Sequence, residues 1–316
     1  MGAVASPQNR RWPWVVLAVL GVILVGGLCL LAVLIAVIAG RGAPLSPAVA
    51  IVRVQGTIVS GPAPSPWAIG AYSERIIEDL KRAEEDRSVK AIVLWINSPG
   101  GSVVGSDEVY RALRRATKPV VAFMSEVAAS GGYYLACGAD YIVANPNTFT
   151  GSIGVVAVIP NAAELFDELG IEAVILRSAP RKAEGSLFEK LSPEAREILQ
   201  RLIDEAFATF VQVVAEGRSM GMEQVRALAD GRVYSGQQAL ELGLVDALGD
   251  LQQAIDKARE LGGIEGEPRI IEYRPMPSIW DALLFSLDRL SVPTRSWEQL
   301  WDVSSGPVLE YRYVAP

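Results

Sequence analysis

Val89 to Gly101 reads VKAIVLWINSPGG. Six apolar residues follow one another from Ala91 to Ile96. A half-buried strand would alternate apolar and polar residues. An unbroken run of this length, rich in β-branched residues, predicts a strand over 89–97 that is covered on both faces, as in a parallel sheet. The run then stops abruptly at Ser98-Pro99-Gly100-Gly101. Ligands in parallel α/β sheets sit beyond the carboxyl ends of the strands. Two glycines in that position let the backbone approach a ligand and direct N–H groups at a developing oxyanion. Taken alone, the tetrad is a weak signal, since most such tetrads are only turns.

Working outward, the same alternation of apolar runs and amphipathic stretches continues. AVAIVRV (48–54), PVVAFM (119–124), YIVA (141–144), GVVAVI (154–159) and EAVILR (172–177) read as strands. Helices are expected over 72–85, over 103–116, directly after Ser130, and over 193–216, the last opened by Ser192 as cap and Pro193 in the first turn. The pattern predicts an α/β domain with a mostly parallel sheet over residues 48–262. Residues 263–316 form a C-terminal extension with one amphipathic helix expected near Ile279 to Leu290.

A second turn carries the chemistry. Val127 to Asp140 reads VAASGGYYLACGAD. Ser130 stands among small residues, Gly131 and Gly132 follow, and a helix is expected to start there. The unpaired N–H groups of that first turn would face a developing negative charge. The plainer alternative is that Ser130 caps the helix. The segment is not G-x-S-x-G, so an α/β-hydrolase elbow does not fit.

Composition restricts what could activate such a serine. The 316-residue chain contains no histidine. Ser-His-Asp triads, Cys-His dyads and imidazole metal ligands are therefore excluded, and no cofactor or metal is expected. Net charge is −7, which argues against nucleic acid as a partner. Cys29 and Cys137 lie in apolar surroundings and read as small buried hydrophobes. A general base must then be Lys, Asp, Glu or Tyr. A lysine can serve if burial keeps its amine neutral. Among the six lysines, Lys81, Lys90, Lys118, Lys190 and Lys257 sit in polar or charged settings. Lys182 lies in the loop SAPRKAEGSLFEKLSP, after an expected strand, on the ligand-facing edge. Local sequence marks it only as the best of the six.

Val15 to Ala39 is 25 residues without a charge, long enough as a helix to cross a bilayer and too long for the core of a secretory signal. A lipoprotein signal fits poorly, because Leu28 precedes Cys29. Residues 1–14 would be a short cytoplasmic N-terminus, 15–39 a transmembrane helix, and 40–47 a linker rich in Gly and Pro. Arg10 and Arg11 precede the span and Arg41 alone follows it closely, which predicts that the domain lies on the extracytoplasmic side of the cell membrane.

Together these features resemble the signal peptide peptidase A (SppA) family, peptidase family S49, membrane-anchored serine proteases of the ClpP/crotonase superfamily. The resemblance rests on INSPGG, ASGGYYLACGAD, TGSIGV, a lysine 52 residues after the serine with Ser-Pro beyond it, and DGRVYSGQQALELGLVDALG. It implies a ClpP/crotonase-like fold and a Ser/Lys dyad: Ser130 as nucleophile, Lys182 as general base and Ser152 orienting the lysine. It also implies that Gly101 and Gly131 supply backbone oxyanion donors, and that Tyr234 and Asp246 are structural. Implied substrates are cleaved signal peptides and other short or unfolded chains. Implied assembly is a homo-oligomer with shared active sites, in which Lys182 serves Ser130 of an adjacent subunit. Alternatives on the same fold are a stomatin-partnered membrane protease, a crotonase-like acyl-CoA enzyme, and an inactive membrane scaffold.

Overall fold

A computed structural model describes residues 12–40, 46–65, 67–273 and 310–312. The chain divides into two units, Met1–Ser46 and Pro47–Pro316. In the first, α1 (Trp12–Gly40) is apolar throughout. Among the described residues it is the one helix long and apolar enough to cross a membrane. The amphipathic helix expected near 279–290, and the flanking Arg10, Arg11 and Arg41, lie outside the described residues.

The second unit is built on a mostly parallel sheet. Its strands are β1 (Ala48–Gln55), β4 (Val89–Ser98), β6 (Val120–Ala129), β7 (Tyr141–Ala144), β8 (Phe149–Gly151), β9 (Val233–Ser235), β10 (Ala247–Leu248) and β11 (Arg269–Glu272). The order β10-β7-β6-β4-β1-β11 is parallel at every step. A branch adds β8, parallel to the far end of β6, and β9, antiparallel to β8. A smaller sheet holds β2 (Ile58–Val59), β3 (Ala71–Tyr72), β5 (Gly100–Ser102) and β12 (Glu310–Arg312), in the order β12-β5-β2-β3. Two strands beyond residue 262, β11 and β12, thus join the sheets.

The apolar runs have the expected cause. Side chains of one strand alternate between two cores. Ile92, Leu94 and Ile96 of β4 pack with Ala50, Val52 and Val54 of β1 in one cluster. The second cluster holds Val93 of β4, Ile51 of β1 and Val121 of β6. The first face is covered by α2 (Ser73–Glu85), α3 (Val103–Arg114), α4 (Gly131–Ala136) and α6 (Pro193–Arg218). The other is covered by α9 (Leu251–Leu261). The short helices α5 (Ala163–Glu168), α7 (Met222–Leu228) and α8 (Gly236–Glu241) complete the unit. Helix α6 begins as expected, with the Ala195 N–H donating to Ser192 Oγ at 3.1 Å. Its C-terminal end approaches α4 closely enough to require glycine. A Cβ on Gly217 would stand 2.3 Å from the Cys137 carbonyl oxygen. Gly217→Ala is therefore expected to destabilise the chain by about 2 kcal/mol despite its better helix propensity. A thermal melt should show Tm lowered by roughly 4–8 °C.

Two expected strands do not form. Residues 154–159 make a single bridge, at Val156, and 172–177 have no regular structure. A strand needs a neighbouring backbone. These segments are apolar enough to be strands, but 172–177 points largely to solvent, with Val174 76% and Leu176 94% exposed, and in 154–159 Val155 packs on the core while Val158 is 72% exposed. Composition alone cannot distinguish such a segment from a buried strand.

Candidate active site

Because β4, β6 and β8 are parallel, the residues that follow them gather at one sheet edge. Ala128 lies beside Ser98, and Ala129 beside Gly151, so Ser130 and Ser152 take the next positions on adjacent strands. The pairing is held in place by buried hydroxyls. Thr150 Oγ1 donates to the Ala128 carbonyl at 2.7 Å, and Thr148 Oγ1 to the Met124 carbonyl at 3.0 Å. The Ser130 N–H donates to the Gly151 carbonyl at 2.8 Å.

Ser130 is 1% exposed and its backbone is strained, with φ 52° and ψ −116°. A residue other than glycine occupies such a conformation only when its surroundings impose it, and such strain concentrates at functional sites. Here the strand ends at Ala129 and α4 starts at Gly131, so the chain reverses within one residue. The capping alternative fails: the Ser130 side chain makes no cap hydrogen bond to α4. Ser152 also has positive φ, 47°, and its N–H donates to the Arg232 carbonyl at 2.8 Å. Both hydroxyls are thus carried on sharply turned, rigidly bonded backbone.

The glycine tetrad lies against this turn. Gly100 has φ 99° and Gly101 φ 152°. A Cβ on Gly100 would stand 2.7 Å from the Gly131 nitrogen, and one on Gly101 would stand 2.1 Å from the Ile58 carbonyl oxygen. Neither position has room for a side chain. Gly101 is clamped against β2, while Gly100 is the residue that touches Gly131, a contact that reading the tetrad as a motif does not separate. The Gly100 N–H donates to Ser98 Oγ at 3.1 Å, which gives the buried Ser98 hydroxyl a positioning part. Gly100 thus packs directly on the Gly131 backbone, next to Ser130.

Lys182 is not brought to Ser130 within the chain. It is exposed, on a turn closed by its own N–H to the Ala179 carbonyl at 3.1 Å. Among the described residues it forms no hydrogen bond or ion pair with Ser130 or Ser152. Lys118 is the lysine more enclosed than its sequence setting suggests, with Nζ donating to the Ala83 and Asp86 carbonyls at 2.6 and 2.7 Å. It precedes β6, whereas Ser130 follows β6, so it lies at the opposite end of the sheet. The Cys137 thiol is fully buried, and burial pushes it up to about 12, leaving no thiolate for chemistry.

Tyr234 and Asp246 are architectural. The Tyr234 ring would meet a Cβ on Gly151 at 2.5 Å, and its hydroxyl donates to the Leu228 carbonyl at 3.0 Å. Asp246 accepts from Arg218 through two nitrogens, at 2.9 and 2.7 Å, and from the Ile142 N–H at 2.7 Å. The first holds the turn that carries Ser152; the second ties α6 to the sheet.

Comparison with known proteins identifies the family. The sequence profile of peptidase family S49 matches residues 112–265, and that of Clp protease matches residues 69–150. A Synechocystis sp. relative named as a protease is 40% identical over 219 residues, 69% of this chain and 75% of its own length. The chain belongs to peptidase family S49. As an S49 peptidase it is also similar to an Enterococcus faecium protein named for signal peptide peptidase SppA. That protein is 34% identical over 239 residues, 75% of this chain and 68% of the relative. Protease 4 of Haemophilus influenzae is 38% identical over 216 residues, 67% of this chain but 34% of the longer relative. This S49 peptidase thus spans about a third of that relative's length, and its α/β sheet is of the Clp protease kind.

Proposed function

We propose that the chain is a membrane-anchored serine endopeptidase that degrades cleaved signal peptides and other short or unfolded chains with a Ser/Lys dyad. The observation that carries this reading is the Ser130 turn: a strained, buried serine, unused as a helix cap, with glycine backbone on both sides. Ser130 Oγ attacks the substrate carbonyl carbon as the Lys182 amine takes its proton. The N–H groups of Gly101 and Gly131 hold the oxyanion. The lysine ammonium then protonates the leaving amine, and a water molecule, activated by the same amine, hydrolyses the acyl-enzyme. The decisive experiment is labelling of purified full-length chain with a serine-directed phosphonate. Covalent modification at Ser130 is expected, and its absence from active protein would overturn the reading.

Lys182 acts on Ser130 of an adjacent subunit in this reading. Two features support that. Lys182 is exposed in the single chain, whereas a lysine base is kept neutral by burial, which a neighbouring copy would supply. The stretch before it also exposes Leu169, Val174 and Leu176, apolar side chains suited to a subunit contact. Ser152, one strand over from Ser130, is assigned the orientation of the incoming amine. Ser152→Ala should lower kcat by about 10- to 100-fold without abolishing it, because it removes a positioning hydrogen bond and no reacting group. Steady-state peptide hydrolysis would measure this, and a complete loss would move Ser152 into the reacting set.

Helix α1 is assigned as the membrane anchor. By the bias of Arg10 and Arg11 over Arg41, the N-terminus is cytoplasmic and the peptidase domain extracytoplasmic. An outward-facing domain held at the bilayer meets signal peptides where secretion leaves them.

A further inference from the structure

The strands that lead to the Ser130 turn do not run in simple register. Ile96 of β4 lies opposite Met124 of β6, and two residues on, Ser98 lies opposite Ala128. Three residues of β6, Ser125, Glu126 and Val127, therefore stand against Asn97 alone, which is a bulge of two extra residues. Because two is even, the pleat keeps its phase, and Ala122, Met124 and Ala128 all point into one core. What changes is position along the strand. Continued without the bulge, the pairing would set Ser130 opposite Ser102. The bulge draws it back by two residues, about 7 Å at the rise of a strand, to the level of Gly100. Gly100 is the residue found there, its Cα 3.2 Å from where a Cβ on Gly131 would be.

A bulge takes backbone groups out of the ladder, and each must be satisfied elsewhere. Here side chains supply the partners. The Val127 N–H donates to Asn97 Oδ1 at 3.2 Å. On the other edge the fully buried Thr148 hydroxyl donates to the Met124 carbonyl at 3.0 Å and shares its proton with the Ser125 carbonyl. Asn97 is anchored for this part, since its own carbonyl accepts the Gly56 N–H at 2.9 Å on the β1 side. Its backbone is thus held by β1 while its side chain holds β6. The end of β4 also presses on the turn: a Cβ on Gly132 would stand 2.8 Å from the Ser98 carbonyl oxygen. There is no slack at that contact to absorb a slipped strand.

We propose that Asn97, with Thr148 on the opposite edge, is a positioning residue for the nucleophile: the two side chains hold the β6 bulge that sets Ser130 against Gly100. This rests on the reading of Ser130 as the nucleophile. What position 97 must provide is a hydrogen-bond acceptor at one fixed reach. Aspartate keeps both the reach and the acceptor. Leucine keeps the branched outline and has no acceptor, so the Val127 N–H loses its partner beside an apolar side chain. The strand then recovers a partner only by shifting the bulge, which moves Ser130 relative to Gly100. A misplacement of about 1 Å costs about 100-fold in rate. The loss falls on the attack step, because neither residue reaches the substrate.

The test compares the full wild-type chain with Asn97→Leu and Asn97→Asp, by peptide hydrolysis and by the rate of phosphonate labelling at Ser130. Asn97→Leu is expected to lower kcat about 30- to 100-fold with KM changed less than about twofold, and to slow labelling in parallel. Asn97→Asp should keep both rates within about fivefold of wild type. A residue needed only for folding would lower Tm and the fraction of chains that label, leaving the rate per folded site unchanged. That result overturns the proposal, as does leucine as fast as asparagine or aspartate as slow as leucine. Thr148→Val removes the second brace at nearly equal volume and should lower kcat about tenfold with KM unchanged. It carries the test if Asn97→Leu does not fold, and an unchanged kcat there counts against the brace. Hydrogen exchange over residues 124–129 reads the bulge itself. It should quicken about tenfold or more in Asn97→Leu and stay near wild type in Asn97→Asp; no change in the leucine variant overturns the proposal. Failure of the underlying reading looks different. An active wild type that never labels at Ser130 removes the nucleophile, and the positioning part with it. A wild type labelled at Ser130 beside an equally fast leucine variant sinks Asn97 alone and leaves the nucleophile standing.

Discussion

Ser130→Ala is expected to lower peptidase kcat by about 10⁴-fold or more while leaving the fold intact, since no step remains once the attacking oxygen is gone. The fold should survive for three reasons. The side chain makes no cap bond that alanine would lose. Alanine and serine tolerate φ 52° about equally, so strain changes little. The backbone bonds that pin the turn, from the Ser130 N–H to Gly151 and from the Tyr134 N–H to Ser130, involve no hydroxyl. Peptide hydrolysis alongside a thermal melt makes the comparison. A variant that melts normally and still cleaves at near wild-type rate would remove Ser130 from the mechanism.

Lys182→Ala is expected to be as inactive, and Lys182→Arg as well, because a guanidinium stays protonated and cannot accept the serine proton. Neither change should disturb folding, since Lys182 is exposed on a turn. The larger effect comes from mixing. Chains carrying Ser130→Ala and chains carrying Lys182→Ala are each dead. Allowed to co-assemble, some interfaces join an intact Ser130 to an intact Lys182, and activity should return to a substantial fraction of wild type. Co-assembly without recovery would leave the dyad within one chain. Exposure of Lys182, Val174 and Leu176 in the same stretch is the reason to expect recovery.

Much of this was readable along the chain because its causes are local. The apolar run Ala91–Ile96 demands cover on both faces, and the structure provides it. Ser192-Pro193 starts α6 through a bond three residues away. Helix α1 follows from length and apolarity alone. The serine turn was visible as a strand running into small residues and two glycines, although its alternative as a cap could be dismissed only by seeing that the hydroxyl makes no such bond.

What tertiary structure alone decided depends on residues far apart in the chain. Whether 154–159 and 172–177 become strands depends on a backbone partner, and their composition is satisfied equally by a sheet or by a surface that another copy could cover. That Gly100, rather than Gly101, contacts Gly131 follows from the packing of one turn on another. Tyr311 pairs with Gly101 across some two hundred residues, and no periodicity or spacing marks such a contact. Local propensity, capping and apolar patterning act over a few residues and were legible; strand partners, side-chain pockets and the neighbours of a lysine are fixed only when the whole chain closes.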